Sequence, residues 1–157
     1  MKDPHMLHHR WIACAAAAWS LIFASFHFIW AGGWYVGLAD PVQAAETFAK
    51  PAFLAYDLVA GAMCLIAVPV SLALGSAWVR IPRRLLVPLA WIGTALLGAR
   101  AVASLAQNLI EVLTGQFSFQ RMGIWEPWFY LGAVLFAINL WHYDRGQRAA
   151  TRAPQPT

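Results

Sequence analysis

Among the side chains able to carry charge or donate and accept hydrogen bonds inside otherwise apolar runs are His27, Asp57, Arg100, Gln107, Asn108 and Glu111. In such surroundings these groups hold protons, grip the polar part of a ligand, or pair with one another to fix helices. A charge at the centre of a membrane helix costs about 2.5–3.5 kcal/mol on insertion scales, so each one needs a partner or a wet cavity. Their spacing is regular. Arg100, Ser104, Gln107, Asn108 and Glu111 stand at i, i+4, i+7, i+8 and i+11, one stripe of an α-helix. A polar stripe in lipid turns toward a bundle interior. In "FASFHFIWAGGWYVG", Phe23, His27, Trp30 and Trp34 form a second stripe that sets an imidazole among aromatic rings. With a rise of about 1.5 Å per residue, Arg100 falls near the middle of its run, and His27 and Asp57 lie roughly 6 and 12 Å outward of the middle of theirs. The candidate pocket therefore comprises His27, Trp30, Asp57, Arg100, Gln107, Asn108 and Glu111, with Glu126 and Tyr130 from "WEPWFY" and further walls from Trp34, Trp125 and Trp128.

Two chemistries fit this set. One is binding of a lipid or lipid-soluble ligand, in which Arg100 and the positive ends of two helices favour an anionic head group. The other is proton transfer on a lipid-soluble substrate by an isomerase- or cyclase-like enzyme. There Asp57 or Glu126 exchanges the proton, His27 partners it, and the Trp30 ring face stabilises developing positive charge; the emopamil-binding sterol isomerases offer an analogy. Structural roles compete with both. Arg100 and Asp57 can be an ion pair that fixes helix register, His27 a hydrogen-bonded structural group, Trp34, Trp125 and Trp128 interfacial anchors, and Glu111 a carboxylate reaching outer water. No cofactor or metal is expected. A haem between helices wants two ligands at matched depth, and His142 lies at the far end from His27; His27, Asp57 and Glu111 lack a recognisable zinc spacing. No P-loop, G-x-S-x-G or C-x-x-C motif is present, and Cys14 and Cys64 read as small core hydrophobes.

The elements that must position these residues are membrane helices. Of the 157 residues, 61% are hydrophobic and 11% charged, against about 25% charged in a soluble domain. Too few charges remain to cover a soluble surface. Four runs, about 11–35, 53–79, 85–113 and 124–143, each meet the roughly 20-residue length of a ~30 Å hydrocarbon layer. The expected fold is an all-α, four-helix transmembrane bundle over 11–143, with a cytoplasmic segment 1–10 and a disordered cytoplasmic tail 144–157. The first run is too long for a signal peptide and lacks an A-x-A-like site, so it is expected to be retained. Lys2, Arg10, Arg80, Arg83, Arg84, Arg145, Arg148 and Arg152 fall on one side and only Lys50 and Arg121 on the other, which predicts both termini in the cytoplasm of a multi-pass cell-membrane protein. The net charge of +4 is thus a matter of topology, and no nucleic-acid partner is expected. The partners are membrane lipids, with a homo-oligomer or a membrane partner protein also open. "KPAF" and "EPWF" read as helix starts with proline in the first turn, and Pro69 predicts a kink.

The chain also resembles a family of small bacterial four-helix membrane proteins known only as a domain of unknown function. The resemblance rests on H-x-x-W-A-x-G-G at the end of helix one (His27, Trp30, Ala31, Gly32, Gly33), an arginine midway along helix three, and W-[DE]-x-x-x-Y at the start of helix four (Trp125, Glu126, Tyr130). "LGAV" follows the tyrosine where the family pattern has a nearby proline. The resemblance implies a bundle in the bacterial inner membrane with a shared pocket, and it carries no activity.

Overall fold

The computed structural model of the chain describes residues 4–38, 40–75, 80–116 and 125–152. All the regular structure among them is helical: α1 (Pro4–Ala31), α2 (Pro41–Phe48), α3 (Pro51–Gly75), α4 (Arg83–Leu113) and α5 (Trp125–Arg152). Three stretches, His9–Ala31, Pro51–Gly75 and Arg83–Leu113, are long and apolar enough to cross a membrane, as in a multi-pass membrane protein. Side chains such as Leu65, Ile66, Ile92, Leu96, Leu105 and Leu109 are exposed along α3 and α4. That is the surface of helices whose solvent is hydrocarbon.

Helix ends differ from those expected in ways the physics explains. α1 starts at Pro4 instead of Trp11, and α5 runs to Arg152 where a disordered tail was expected from residue 144. The apolar runs mark where lipid could cover a helix, whereas helical hydrogen bonds continue into water wherever local contacts support them. In α5 those contacts are the Arg148–Asp144 bridge at 2.5 Å, one turn apart, and the Arg145 guanidinium 4.0 Å above the Trp141 ring. The last four residues of the expected second span (76–79), the expected start of the fourth at Ile124, and Arg121 lie outside the described residues.

Two helix ends are closed by the same device. After α1, Gly33 takes φ 89° and donates to the Trp30 carbonyl at 2.9 Å, while Trp34 N–H reaches Ile29 at 3.1 Å. After α4, Gly115 takes φ 69° and donates to Val112 at 3.2 Å, while Gln116 N–H reaches Glu111 at 2.8 Å. Both are Schellman motifs, which satisfy the last carbonyls through a left-handed glycine. The short helix α2 was not expected. It is set by "DP": the Asp40 carboxylate accepts from Val42 and Gln43 N–H at 2.9 and 3.0 Å, and Pro41 occupies the first turn.

Packing begins with small residues. Ala13, Ala16, Ala17, Ser20 and Ala24 form a buried stripe on α1, and α1 lies closely along α3. At one end a side chain on Gly75 would run into Ala13, and at the other a Cβ on Gly61 would stand 3.1 Å from His27 Cβ. Backbones approach this closely only over small residues. Pro69 lies inside α3, where it removes one intrahelical donor without ending the helix. α4 packs on α5, and Trp19 of α1 lodges against Gly132 of α5. One hydrophobic cluster gathers around Trp19, Phe23, Trp30 and Phe136; a second, around Val70, Leu74, Leu86 and Leu140, fills the opposite end.

Candidate functional site

The centre of the site is a buried acid–imidazole pair. His27 Nδ1 and Asp57 Oδ1 stand 2.6 Å apart, with side chains only 10% and 5% exposed. A carboxylate accepts but does not donate, so the shared proton fixes Nδ1–H on the imidazole and leaves Nε2 as the free ring nitrogen. Gly61, one turn after Asp57, is what lets α3 come this close to His27. The second carboxylate oxygen, Oδ2, is buried without a partner. Phe23 and Trp30 meet the imidazole edge-on, with ring centroids at 4.6 and 5.5 Å.

Arg100 has a different partner from the one considered in the sequence. Its guanidinium binds Glu126 at 3.2 Å and the Ser104 hydroxyl, and lies 4.7 Å over the Phe129 ring. The register-fixing pair of Arg100 with Asp57 is therefore not formed: Asp57 pairs with His27, and Arg100 turns to Glu126 and Ser104. Nor does Arg100 present an uncompensated positive charge. Glu126 extends the network: its Oε2 accepts from the Tyr130 hydroxyl at 3.3 Å, and that hydroxyl accepts from Asn108 at 3.0 Å. Arg100, Ser104, Asn108, Glu126 and Tyr130 thus form one polar ladder joining α4 to α5.

Gln107 and Glu111 stand apart, joined to each other at 3.4 Å. The packed face of α4 is marked by Leu86, Ala90, Ala101 and Ser104. Asn108 and Glu111 are half-buried beside that face, and Gln107 is exposed.

Two cavities meet at the pair. One, of about 490 Å³, lies toward α2 and is lined by His27, Asp57 and Arg100 together with Asp40, Gln43 and Thr47. The other, of about 320 Å³, runs deeper between α3 and α4 past Val59, Met63, Leu96, Leu97 and Phe136. Phe23, His27, Tyr56, Arg100 and Phe129 line both. The first lobe is polar at its rim and the second is almost wholly apolar. All five helices contribute to this pair of lobes.

The tryptophans divide by role. Trp30 and Trp125 line the α2-side lobe and meet edge-to-face at 4.7 Å. Their indole N–H groups donate to Val36 and Gly37 carbonyls at 2.9 and 2.8 Å, which pins the turn after α1 over the site. Trp34, expected as a wall, is 74% exposed and lines neither lobe. Trp128 stacks on Trp19 behind the cavity, with ring centroids at 5.9 Å.

No family model, curated protein or solved structure matches this chain. The site must be read from its own chemistry. The residues of H-x-x-W-A-x-G-G supply the imidazole, one aromatic wall and the terminating turn. Those of W-[DE]-x-x-x-Y supply the second wall, the carboxylate on Arg100 and the hydroxyl beside it. Among the described residues no group of three or more metal-ligating side chains occurs.

Three features were missed in the sequence. Asp40, Gln43 and Thr47 reach the site because α2 folds across its mouth, and the Asp-Pro cap was the available signal. Phe53, Tyr56 and Phe129 line the cavity from helices whose rotation the sequence leaves open. A second polar cluster lies at the other end of the bundle. There fully buried Asn139 donates to the Ser71 carbonyl at 3.1 Å, and the rings of His9 and His142 lie 5.5 Å apart.

Proposed function

We propose that this protein is an integral protein of the cell membrane that takes a lipid-soluble ligand into the two-lobed cavity, with the ligand's polar end at His27 and its hydrocarbon in the apolar lobe. The observation that carries this reading is the junction of the lobes. A polar-rimmed space and an apolar slot share the residues that flank an imidazole with a free nitrogen. Pockets that bind small molecules have this character, apolar walls with a few convergent polar groups. In this reading α5 is the fourth span of an N-in, C-in bundle, as the distribution of arginines favours, and the site opens toward the outer leaflet. The resemblance to the bacterial family implies a bundle with a shared pocket and carries no activity. Lipids are the partners we propose; a second copy or a partner protein would pack on the exposed faces of α3 and α4.

A second reading has its own support. The carboxylate–imidazole pair is the arrangement by which a buried acid orients a general base, so the protein is alternatively an enzyme moving a proton on a lipid-soluble substrate. His27, not Asp57 or Glu126, is then the group that meets substrate, because it lines both lobes, whereas Asp57 lines only the first and Glu126 is held by Arg100. The test is purification in native lipid particles, with mass spectrometry of small molecules retained by the wild type and by a His27→Ala, Arg100→Ala variant. A molecule retained only by the wild type supports the cavity reading and provides the substrate to test for turnover. Equal retention by two folded preparations refutes it.

A further inference from the structure

We infer that the head group received at His27 is a hydrogen-bond donor without negative charge, so that the ligand class is a lipid-soluble alcohol or amine and not a phosphate or carboxylate lipid. This deepens the cavity reading and rests on it. Three observations carry it. The first is the tautomer. Asp57 Oδ1 at 2.6 Å from Nδ1 takes up the Nδ1–H, so in the neutral form of the ring Nε2 is the acceptor, and it has no hydrogen-bond partner among the described residues.

The second is charge. Arg100 is matched by Glu126. The His27–Asp57 pair is neutral with the imidazole protonated and carries one negative charge otherwise. Asp40 adds a further carboxylate to the same lobe, with one oxygen engaged in capping α2. Among the described residues no unbalanced cation lines either lobe, and an anionic head would meet like charge in a partly desolvated space, where such repulsion is poorly screened. The anionic preference expected from Arg100 in the sequence is thereby reversed. The third is shape. From His27 the apolar lobe runs on past Met63 and Leu97 beside Gly93, giving a hydrocarbon chain a place to lie.

The test uses the full chain in lipid nanodiscs, with labelled hexadecanol displaced by unlabelled hexadecanol, hexadecyl methyl ether or palmitate. The ether keeps the oxygen and loses the donor; palmitate adds the charge. The expected result is that hexadecanol competes about tenfold better than either, the value of one hydrogen bond made or left unmade. Asp57→Asn should abolish or reverse the preference for alcohol over ether. The amide can donate to Nδ1, which moves the ring proton to Nε2 and turns an acceptor into a donor. Should that variant fail to fold, the wild-type competition decides alone, and His27→Phe, which keeps a ring and removes the acceptor, should equalise alcohol and ether. If palmitate or the ether competes as well as hexadecanol against the wild type, the donor-head inference is overturned while the cavity reading stands. If none of the three binds saturably, and Gly93→Leu, which fills the slot, leaves retained molecules unchanged, both fall together.

Discussion

Replacing His27 and Asp57 by leucine, singly and together, separates what the pair does for the fold from what it does for the site. Both side chains are at least nine-tenths buried and meet at 2.6 Å, so the single variants are unequal. His27→Leu leaves a buried carboxylate with neither oxygen partnered, since Oδ2 already lacks a donor; stranding one partner of a buried pair costs about 3–5 kcal/mol. Asp57→Leu leaves a neutral imidazole with one unmet N–H, which costs about 1–3 kcal/mol. The double variant strands nothing. Leucine keeps the Cβ that packs against Gly61, and apolar replacement of a buried pair is often neutral or stabilising, so it should unfold within about 1 kcal/mol of the wild type. The assay is unfolding against SDS mole fraction in mixed micelles, followed by near-ultraviolet circular dichroism of the tryptophans. The double variant should be folded and yet retain none of the wild-type-specific ligand. A double variant as unstable as His27→Leu would refute the reasoning, as would His27→Leu being no worse than Asp57→Leu. Either result would mean that the pair's role is to hold α1 to α3.

Gly132→Ala should destabilise by about 1–3 kcal/mol, because the new methyl overlaps the Trp19 indole, which is itself tethered by its 3.0 Å bond to the Trp128 carbonyl; Gly98→Ala, with nothing within 4 Å of the new carbon, should be neutral or up to ~1 kcal/mol more stable in the same SDS titration. Glu126→Gln should cost under about 1 kcal/mol, since the Arg100 side chain is 44% exposed and such pairs are screened; a loss above about 2 kcal/mol in that titration would show a stronger bond than the geometry implies. For topology, with Cys14 and Cys64 replaced by alanine, a membrane-impermeant thiol reagent on intact cells should label Trp34→Cys and spare Arg84→Cys. The opposite pattern would overturn the N-in, C-in reading.

Depth along a helix was legible in the sequence and rotation about its axis was not. The rise per residue put His27, Asp57 and Arg100 in neighbouring layers, and they do line one cavity. Which of them touch depends on how the helices turn toward one another, and that was decided elsewhere. Gly61 draws Asp57 onto His27, and Ser104 and Phe129 draw Arg100 toward α5 and Glu126. The polar stripe of α4 likewise divides by hydrogen-bond partner. Asn108 bonds the Tyr130 hydroxyl of α5, whereas Gln107 and Glu111 bond to each other. Trp34, Trp125 and Trp128 read alike in the sequence, as pocket walls or boundary anchors, yet Trp34 is exposed while Trp125 joins Trp30 in enclosing the site. Their separation comes from the glycine turn after α1, which throws Trp34 outward and folds the Val36 and Gly37 carbonyls back onto the other two indoles.

The distribution of side-chain size argues that the pair serves the cavity. Along α1 and α3 the chain spends small residues, Ala13 against Gly75 and Gly61 against His27, so the backbones close and the acid reaches the imidazole. Across the bundle it places Trp19, Phe23, Phe129 and Phe136, rings that prop α4 and α5 away from α3 and leave a slot between them. A pair needed only for register would be enclosed on all sides, since every desolvated polar atom left open to a void forgoes packing as well as hydrogen bonding. This one is not: Asp57 and His27 both line the lobe beside α2, and His27 lines the apolar lobe as well. Facing open space costs stability unless something fills the lobes, and the alcohol, ether and carboxylate probes ask what that is.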